Sequence, residues 1–382
     1  MIINLPATTS AAVSKKLVTV RNDVGAMALG RVLTLIIVVD DRHADEAIEI
    51  AAEASRQHPS RIVTVVLGDK RGASRLDAQI RLGGDAGASE VVVLRLFGEL
   101  AKHGQSVVVP LLLPDSPVVA WWPHTAPADL SGDPIGRMAQ RRITDAAAAA
   151  SPRSALRARA RCYHPGDTDL AWTRITRWRG LLAAALDQPP FEPIIRAVVA
   201  GAPDSPSTDL LAGWLAHFLE CPVKIVRTPG GSGISSVRLE RTSGAIDLVR
   251  PGDTVATLSQ QGQPDRRISL ARRHMPECLA DELRRLDPDE IYQAALLQGI
   301  EVVTHSRTTA SQAVAAGESP SVAKAGALVR KLARDPAAKE AMAMVTAPAP
   351  QGSSEPVAIA AAQERKAADL ARGTTATRSR RP

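Results

Sequence analysis

At 382 residues, 45% hydrophobic but only 3% aromatic, the chain is long enough for two domains of ordinary size, with cores built from Ala, Val, Leu and Ile. Its formal charge of +7 sits mainly at the C-terminal end, with 12 Lys plus Arg against 7 Asp plus Glu from residue 301 onward and 35 against 33 before it. A nucleic-acid-binding domain is expected to hold its excess charge on a folded face and to offer rings for stacking, so composition argues against nucleic acid as a partner.

In chain order, Val13, Leu17, Val20 and Val24 recur at helical spacing and predict an opening helix over Thr8 to Val24, with Gly25 as its C-terminal cap. The run LTLIIVVDD, Leu33 to Asp41, predicts a strand buried on both faces. A helix over 44–57, capped by Asp41, and a second strand over 61–67 complete a βαβ unit. Strands are also expected at 77–82 and 90–96. Gly83 to Gly87 between them is glycine-rich, but a phosphate cradle needs a helix after it. The residues beyond Gly87 read as strand, so a turn is expected.

A short helix over 98–109 leads into PLLLPDSPVVAWWP, Pro110 to Pro123, the stretch around which the chain is organised. Neighbouring residues of a strand face opposite ways, so Trp121 and Trp122 put one indole on each side of a sheet. Both faces then need cover, from the chain's own helices or, for one indole, from a partner protein. After a loop rich in Pro, Asp and Gly, Arg141, Arg142 and Asp145 bracket Ile143 and Thr144. That pattern reads either as a solvated edge or as an arginine cluster for an acidic partner or a phosphorylated ligand.

The run PGDTDLAWTRITRWRGLLAAALDQPP predicts the clearest helix of the chain, from an N-cap at Asp167 to a stop at Pro189 and Pro190. Ala171, Ile175, Trp178, Leu182 and Ala185 form its buried face, and Arg174 is spaced to stack on Trp178. Trp172 and Trp178 either pin this helix across two domains or meet a partner. A second βαβ unit comes after it, with a strand over 194–201, a helix over 207–219 opened by Pro206, and a strand over 223–227. The link from Gly201 to Asp209 offers hydroxyls and N–H groups to an anion, yet Ser and Asp are also the commonest caps. Alternation over 233–270 predicts an antiparallel meander solvated on one face. Two helices come next, the second with a capping box at Asp287 to Glu290. From about Thr304 the composition predicts a disordered basic tail.

The expected fold class is α/β with two domains, each starting from a βαβ unit: an N-terminal domain over 1–150, a linking helix over 151–192, a C-terminal domain with antiparallel strands over 193–303, and the tail over 304–382. Cys162, Cys221 and Cys278 are widely spaced and the eight His residues do not cluster with them, so reduced thiols and no metal are expected. The apolar run at Leu33 to Val39 is too short to span a bilayer and no charged-then-apolar leader precedes it. A cytoplasmic protein without membrane contact is expected. No Gly-x-Ser-x-Gly elbow, HExxH, Walker loop or GxGxxG follows a strand. Asp40 and Asp41, at the carboxyl end of a strand, are the best candidates for acid/base or metal chemistry, although one is needed as a cap.

The runs ALGRVLTL (28–35), LGGDAGASEVVVLRL (82–96), PLLLPDSPVVAWWP, DPIGRMAQRRITDAA (133–147) and the 165–190 helix together resemble the glucose-6-phosphate dehydrogenase assembly proteins, the OpcA family of actinobacteria and cyanobacteria. The resemblance covers roughly residues 1 to 300. It implies a non-enzymatic partner, with no catalytic residues and no cofactor, that promotes assembly and activation of glucose-6-phosphate dehydrogenase and hence NADPH supply through the oxidative pentose phosphate pathway. It directs attention to Trp121, Trp122, Arg141, Arg142, Asp145, Trp172, Arg174 and Trp178 as contacts with the dehydrogenase. Thiol redox control, linked to cyanobacterial relatives, finds no cysteine pair to match it here, and the tail departs from the family's usual ending. The rival reading is a sensor or enzyme for sugar phosphates or nucleotides, using the strand ends near Asp40 and Gly201.

Overall fold

The computed structural model describes residues 1–23, 32–82, 90–228 and 232–309, with side chains as far as 305, all within the first of the chain's two units, Met1–Val329. The first of its two sheets holds β1 (Ile2–Leu5), β2 (Leu33–Asp40), β3 (Ser60–Leu67), β4 (Arg75–Arg81), β5 (Glu90–Phe97), β6 (Val118–Trp122), β7 (Arg141–Thr144) and β8 (Asp167–Asp169). Their spatial order is β1-β4-β5-β3-β2-β6-β7-β8. From β5 to β8 every neighbour is parallel, and β4 and β1 add an antiparallel edge. The parallel part follows the doubly wound order, in which the direction of winding reverses between β2 and β6.

Apolar residues line both faces of β2 and β3 because helices cover both. Val13 and Leu17 of α1 (Ser10–Asp23) lie on one side, and Ala47, Ile48 and Ala51 of α2 (Ala44–Ala54) on the other. The short α3 (Gly104–Val108) adds Val107 and Val108 on the α1 side. Trp122 belongs to that same cluster and Trp121 to the cluster under α2. Alternation along the strand thus sends the two indoles to opposite faces, as expected, and the chain's own elements cover both.

The second sheet is reached through α4 (Pro152–Arg161), α5 (Leu170–Thr173) and α6 (Thr176–Leu186). It holds β9 (Arg196–Gly201), β10 (Val223–Arg227), β11 (Ile234–Glu240), β12 (Ile246–Val249), β13 (Val255–Gln260), β14 (Arg266–Ser269) and β15 (Thr304–Thr309), ordered β14-β13-β12-β11-β9-β10-β15. Strands β9 and β10 are parallel and joined by α7 (Pro206–Leu219), while β11 to β14 run as the antiparallel meander that alternation predicts. One face is packed: Trp172, Trp178, Leu182, Leu211 and Leu215 lie over Val199, Val237, Leu248 and Leu258. On the meander's other face, Arg238 pairs with Asp247 and Glu240, which suits a solvated surface.

Two helices follow the meander, and they part company. The first, α8 (Met275–Arg284), returns to the first sheet, where Cys278, Leu279, Ala280 and Leu283 join the cluster under α2. The second, α9 (Glu290–Ala294), widens into a π turn over Ala295–Gly299 and stays with the second sheet. Its backbone meets α7 directly: a Cβ on Gly213 would stand 2.6 Å from the Ala295 carbonyl oxygen.

Several boundaries differ from the sequence expectations, each for a local reason. The cap after β2 is Asp40, whose carboxylate accepts the His43 N–H at 3.2 Å, while Asp41 is engaged by Arg95 at 3.2 Å. The 165–190 run opens as strand β8 rather than as helix, because Asp167 is held in the sheet beside β7. Asp169 is the true cap, accepting from the Ala171 N–H at 2.9 Å, and the helix breaks between α5 and α6. Arg141 to Thr144 is neither a solvated edge nor an open arginine cluster but a buried strand. Asp289, not Asp287, caps α9, accepting the Tyr292 N–H at 2.9 Å. Strand β1 precedes the opening helix without a signal in the sequence, and β15 occupies Thr304–Thr309, where composition places the start of the tail. Gly25, the turn at Gly83 to Gly87 and the tail from 310 onward lie outside the described residues.

Candidate functional site

Beside the reversal point of the first sheet lies a cavity of about 610 Å³ whose walls include His43, His124, Thr144, Asp145 and Asp169. Open α/β sheets hold their ligands at such strand ends, so the chemistry of these walls decides what the crevice can do. The His43 and His124 rings stack with centroids 3.8 Å apart, and Asp40 Oδ1 lies 2.7 Å from His43 Nδ1. Slight burial works against the Asp40 charge, but the hydrogen bond and charge of His43 outweigh it and hold the carboxyl below its usual range.

Asp169 is fully buried. Desolvation, reinforced by the charge of Asp145, pushes its pKa up to about 6 despite hydrogen bonds from Thr144, Ala171 and Ala146. Asp145 is itself gripped by both Arg174 nitrogens, Nη1 to Oδ1 at 2.7 Å and Nη2 to Oδ2 at 2.6 Å. Burial opposes the Arg174 charge, and Asp145 more than restores it.

The doubly wound order raises the question of a dinucleotide. Its pyrophosphate would need the backbone N–H groups of a glycine-rich turn after β2. The residues there are Asp40, Asp41, Arg42 and His43, and the His43 N–H is consumed by the Asp40 carboxylate. Two carboxylates in place of glycines repel the phosphates, so these residues do not fit such a cofactor. Among the described residues no group of three or more His, Cys, Asp or Glu is placed to hold a metal ion. Burial pushes the Cys278 thiol up to about 11, which leaves it unreactive.

The residues singled out in the sequence are mostly interior ties. Arg141 Nη2 meets Glu282 Oε2 at 2.5 Å and its Nη1 donates to the Asp287 carbonyl at 2.7 Å, binding β7 to α8 and the turn after it. Glu282 Oε1 also accepts from the Thr173 hydroxyl at 2.5 Å. Arg142 pairs with Asp167 at 2.5 Å and donates to the Ala139 carbonyl at 2.8 Å. Trp172 donates its Nε1–H to Asp289 at 2.8 Å and lies beneath the Arg179 guanidinium, 3.6 Å from the ring centroid. Arg174 does not make the expected stack on Trp178, since Asp145 claims it, and Arg250 lies over Trp178 instead, at 5.1 Å. Of the eight, Arg174 has the most exposed side chain, at 23%. Sequence reasoning missed Glu282, which comes four residues after the buried Cys278 on α8. A charge on the apolar face of a helix was the available signal.

Two family models match the chain: the N-terminal domain of a glucose-6-phosphate dehydrogenase subunit over residues 51–161, and the C-terminal domain of the same over residues 165–296. Together they span more than half of it. No curated protein matches. Among solved structures, the chain is similar to a levoglucosan dehydrogenase in complex with NADH and L-sorbose, at 11% identity and a TM-score of 0.37 over 77% of this chain and 98% of that one. It is also similar to a Gfo/Idh/MocA family oxidoreductase from Vibrio cholerae, at 10% identity and 0.30 over 71% and 95%. A glucose-6-phosphate dehydrogenase in complex with glucose-6-phosphate matches at 8% identity and 0.31 over 72% and 91%. Likenesses this distant carry no argument about activity.

Proposed function

The chain belongs to the OpcA glucose-6-phosphate dehydrogenase assembly family, and from that premise we propose that it works by docking: it binds glucose-6-phosphate dehydrogenase, favours the enzyme's active oligomer and so supports NADPH production in the oxidative pentose phosphate pathway. The observation that carries this reading is the match of both domain models, in order, along one chain. The geometry supports it from another side. The charges that a catalyst would turn toward a substrate are bound to one another: Arg141 to Glu282, Arg142 to Asp167 and Arg174 to Asp145. We assign Trp121, Trp122, Arg141, Arg142, Asp145, Trp172, Arg174 and Trp178 a framing role, holding the docking surface in shape from beneath. No helix among the described residues is long and apolar enough to cross a membrane, and the proposed partner places the protein in the cytoplasm.

An assembly factor moves its enzyme toward one oligomer only by binding that form more tightly. The test is a titration of the purified dehydrogenase with this chain, following mass by light scattering and rate by NADPH absorbance. Co-elution with a saturable rise in rate is expected. Unchanged mass and unchanged rate at excess chain would refute the proposal.

A further inference from the structure

A second cavity, of about 520 Å³, opens at the carboxyl end of β9. Its walls carry Arg174, Arg250, Arg272 and Arg273 against a single carboxylate, Asp204. The first turn of α7, with Ser205, Pro206 and Ser207, forms its floor. Gly201 ends β9 where a Cβ would collide with the Thr208 hydroxyl, so the glycine lets the start of α7 lie close against the strand. Pro206 has no N–H and the Thr208 N–H is taken by the Ser205 hydroxyl at 3.3 Å, so what this helix offers the cavity is the Ser207 N–H and the partial positive charge of its N-terminus.

Three of the four arginines are already matched. Arg174 holds Asp145, Arg272 holds Asp253 at 2.7 Å, and Arg273 holds Asp281 at 2.6 Å and Glu277 at 3.0 Å. Arg250 is the exception. Only 6% exposed, it donates Nη1 to the Leu270 carbonyl and Nη2 to the Ile234 carbonyl, and its Nε has no partner. No carboxylate among the described residues lies within ion-pair distance of it; Asp253, the acid whose charge reaches it, is engaged by Arg272. Burial and the neighbouring charge of Arg272 bring its pKa down to about 10, as expected of a cation lacking its counter-ion. Breaking or omitting one half of a buried ion pair is costly, and an anion in this cavity supplies the missing half.

We propose that this cavity binds a small phosphorylated metabolite, its phosphate seated between the N-terminus of α7 and the guanidinium of Arg250, with Arg272 closing the rim. Phosphate suits both halves of the seat, as a multivalent oxyanion that accepts backbone N–H and guanidinium donors together. The volume leaves room for an attached hydroxylated ring. The site needs no dehydrogenase and stands independently of the docking function.

Full-length protein, without partner, is followed by thermal shift and calorimetry with inorganic phosphate, pyrophosphate, glucose 6-phosphate and adenosine monophosphate, each against sodium chloride of equal ionic strength and against unphosphorylated glucose. Saturable stabilisation by at least one phosphate but not by chloride or glucose is expected, because only a ligand of the native state raises stability in this way. The ranking among the four separates a bare anion site from a sugar or nucleotide site. Arg250→Met should weaken binding at least tenfold. Since that side chain also ties two carbonyls, Ser207→Glu serves as a second variant: it gives up the hydroxyl's bond to the Ala171 carbonyl, but a carboxylate is favourable in a helix's first turn and repels the anion, and circular dichroism and the unliganded melting temperature check that it is folded. Arg272→Gln should weaken binding severalfold. No saturable response to any of the four phosphates overturns the proposal, as does an equal response to chloride or undiminished binding by folded Ser207→Glu.

Discussion

Glu282→Ala isolates the tie between the two halves of the chain. Arg141 is 2% exposed and the Glu282 side chain 7%, so removing the carboxylate leaves a guanidinium with only the Asp287 carbonyl for company and a Thr173 hydroxyl with no acceptor. Two unit charges about 4 Å apart interact by about 4 kcal/mol at an effective dielectric of about 20. Breaking buried pairs from one side costs about 3–5 kcal/mol. With a urea dependence of about 2–3 kcal/mol per molar, the unfolding midpoint should fall by more than about 1 M, read by fluorescence of tryptophans that lie almost wholly in the core. The double variant Arg141→Met with Glu282→Leu should recover most of that loss, because a well-packed apolar pair avoids desolvating two ions. A single-variant shift below about 0.3 M, or a double variant as unstable as the single one, would refute the account of an unpaired charge.

The remaining predictions concern other parts of the frame. Asp169, with a folded pKa of about 6 against an ordinary 3.8, binds its proton more tightly in the native state. It therefore costs stability as pH rises from about 4 through 6, by about 3 kcal/mol in full. Asp169→Asn should flatten that slope in urea midpoints measured from pH 4 to 7, and an unchanged slope would move the titration elsewhere. Gly213→Ala gains helix propensity of about 1 kcal/mol but drives a methyl into the Ala295 carbonyl; net destabilisation of about 1–2 kcal/mol is expected, and a raised midpoint would show that the backbones do not meet. Trp121→Ala and Trp122→Ala should each cost about 3–5 kcal/mol, since each indole is buried in its own cluster. A variant that stays fully stable yet fails to bind the dehydrogenase would instead place that indole on the docking surface.

Local pattern governs the parts of the fold that are legible in the sequence. The apolar runs of β2 and β3, the βαβ unit around α7, the alternation of the meander and the opposite facing of Trp121 and Trp122 all come from periodicity over a few residues. The misreadings lie where long-range pairing overrides local preference. Arg141 looks like surface until Glu282, 141 positions away, is brought beside it. Asp167 looks like a helix cap until Arg142 draws it into the sheet. Arg174 at helical spacing from Trp178 suggests a stack, yet a bidentate carboxylate is the stronger attraction. Of the crevice by the first sheet, the sequence singles out Asp145 in its wall and Asp40 next to His43; His124 and Asp169 reach it through the parallel register of strands far apart in the chain. Arg250 gives no signal at all, since an arginine at the end of a meander strand is ordinary until its surroundings are known.

The return of α8 to the first sheet bears on how this protein is made. As the chain leaves the ribosome, every strand of that sheet is synthesised long before Met275–Arg284 arrives to cover the side that carries Trp121 and Ile143. Until then a strip of apolar surface stays bare, the condition under which nascent chains stick to one another and chaperones engage them. Translation must run past Arg284 before the earliest-made sheet is sealed, and a message cut short anywhere before α8 would yield a protein that aggregates rather than a working half.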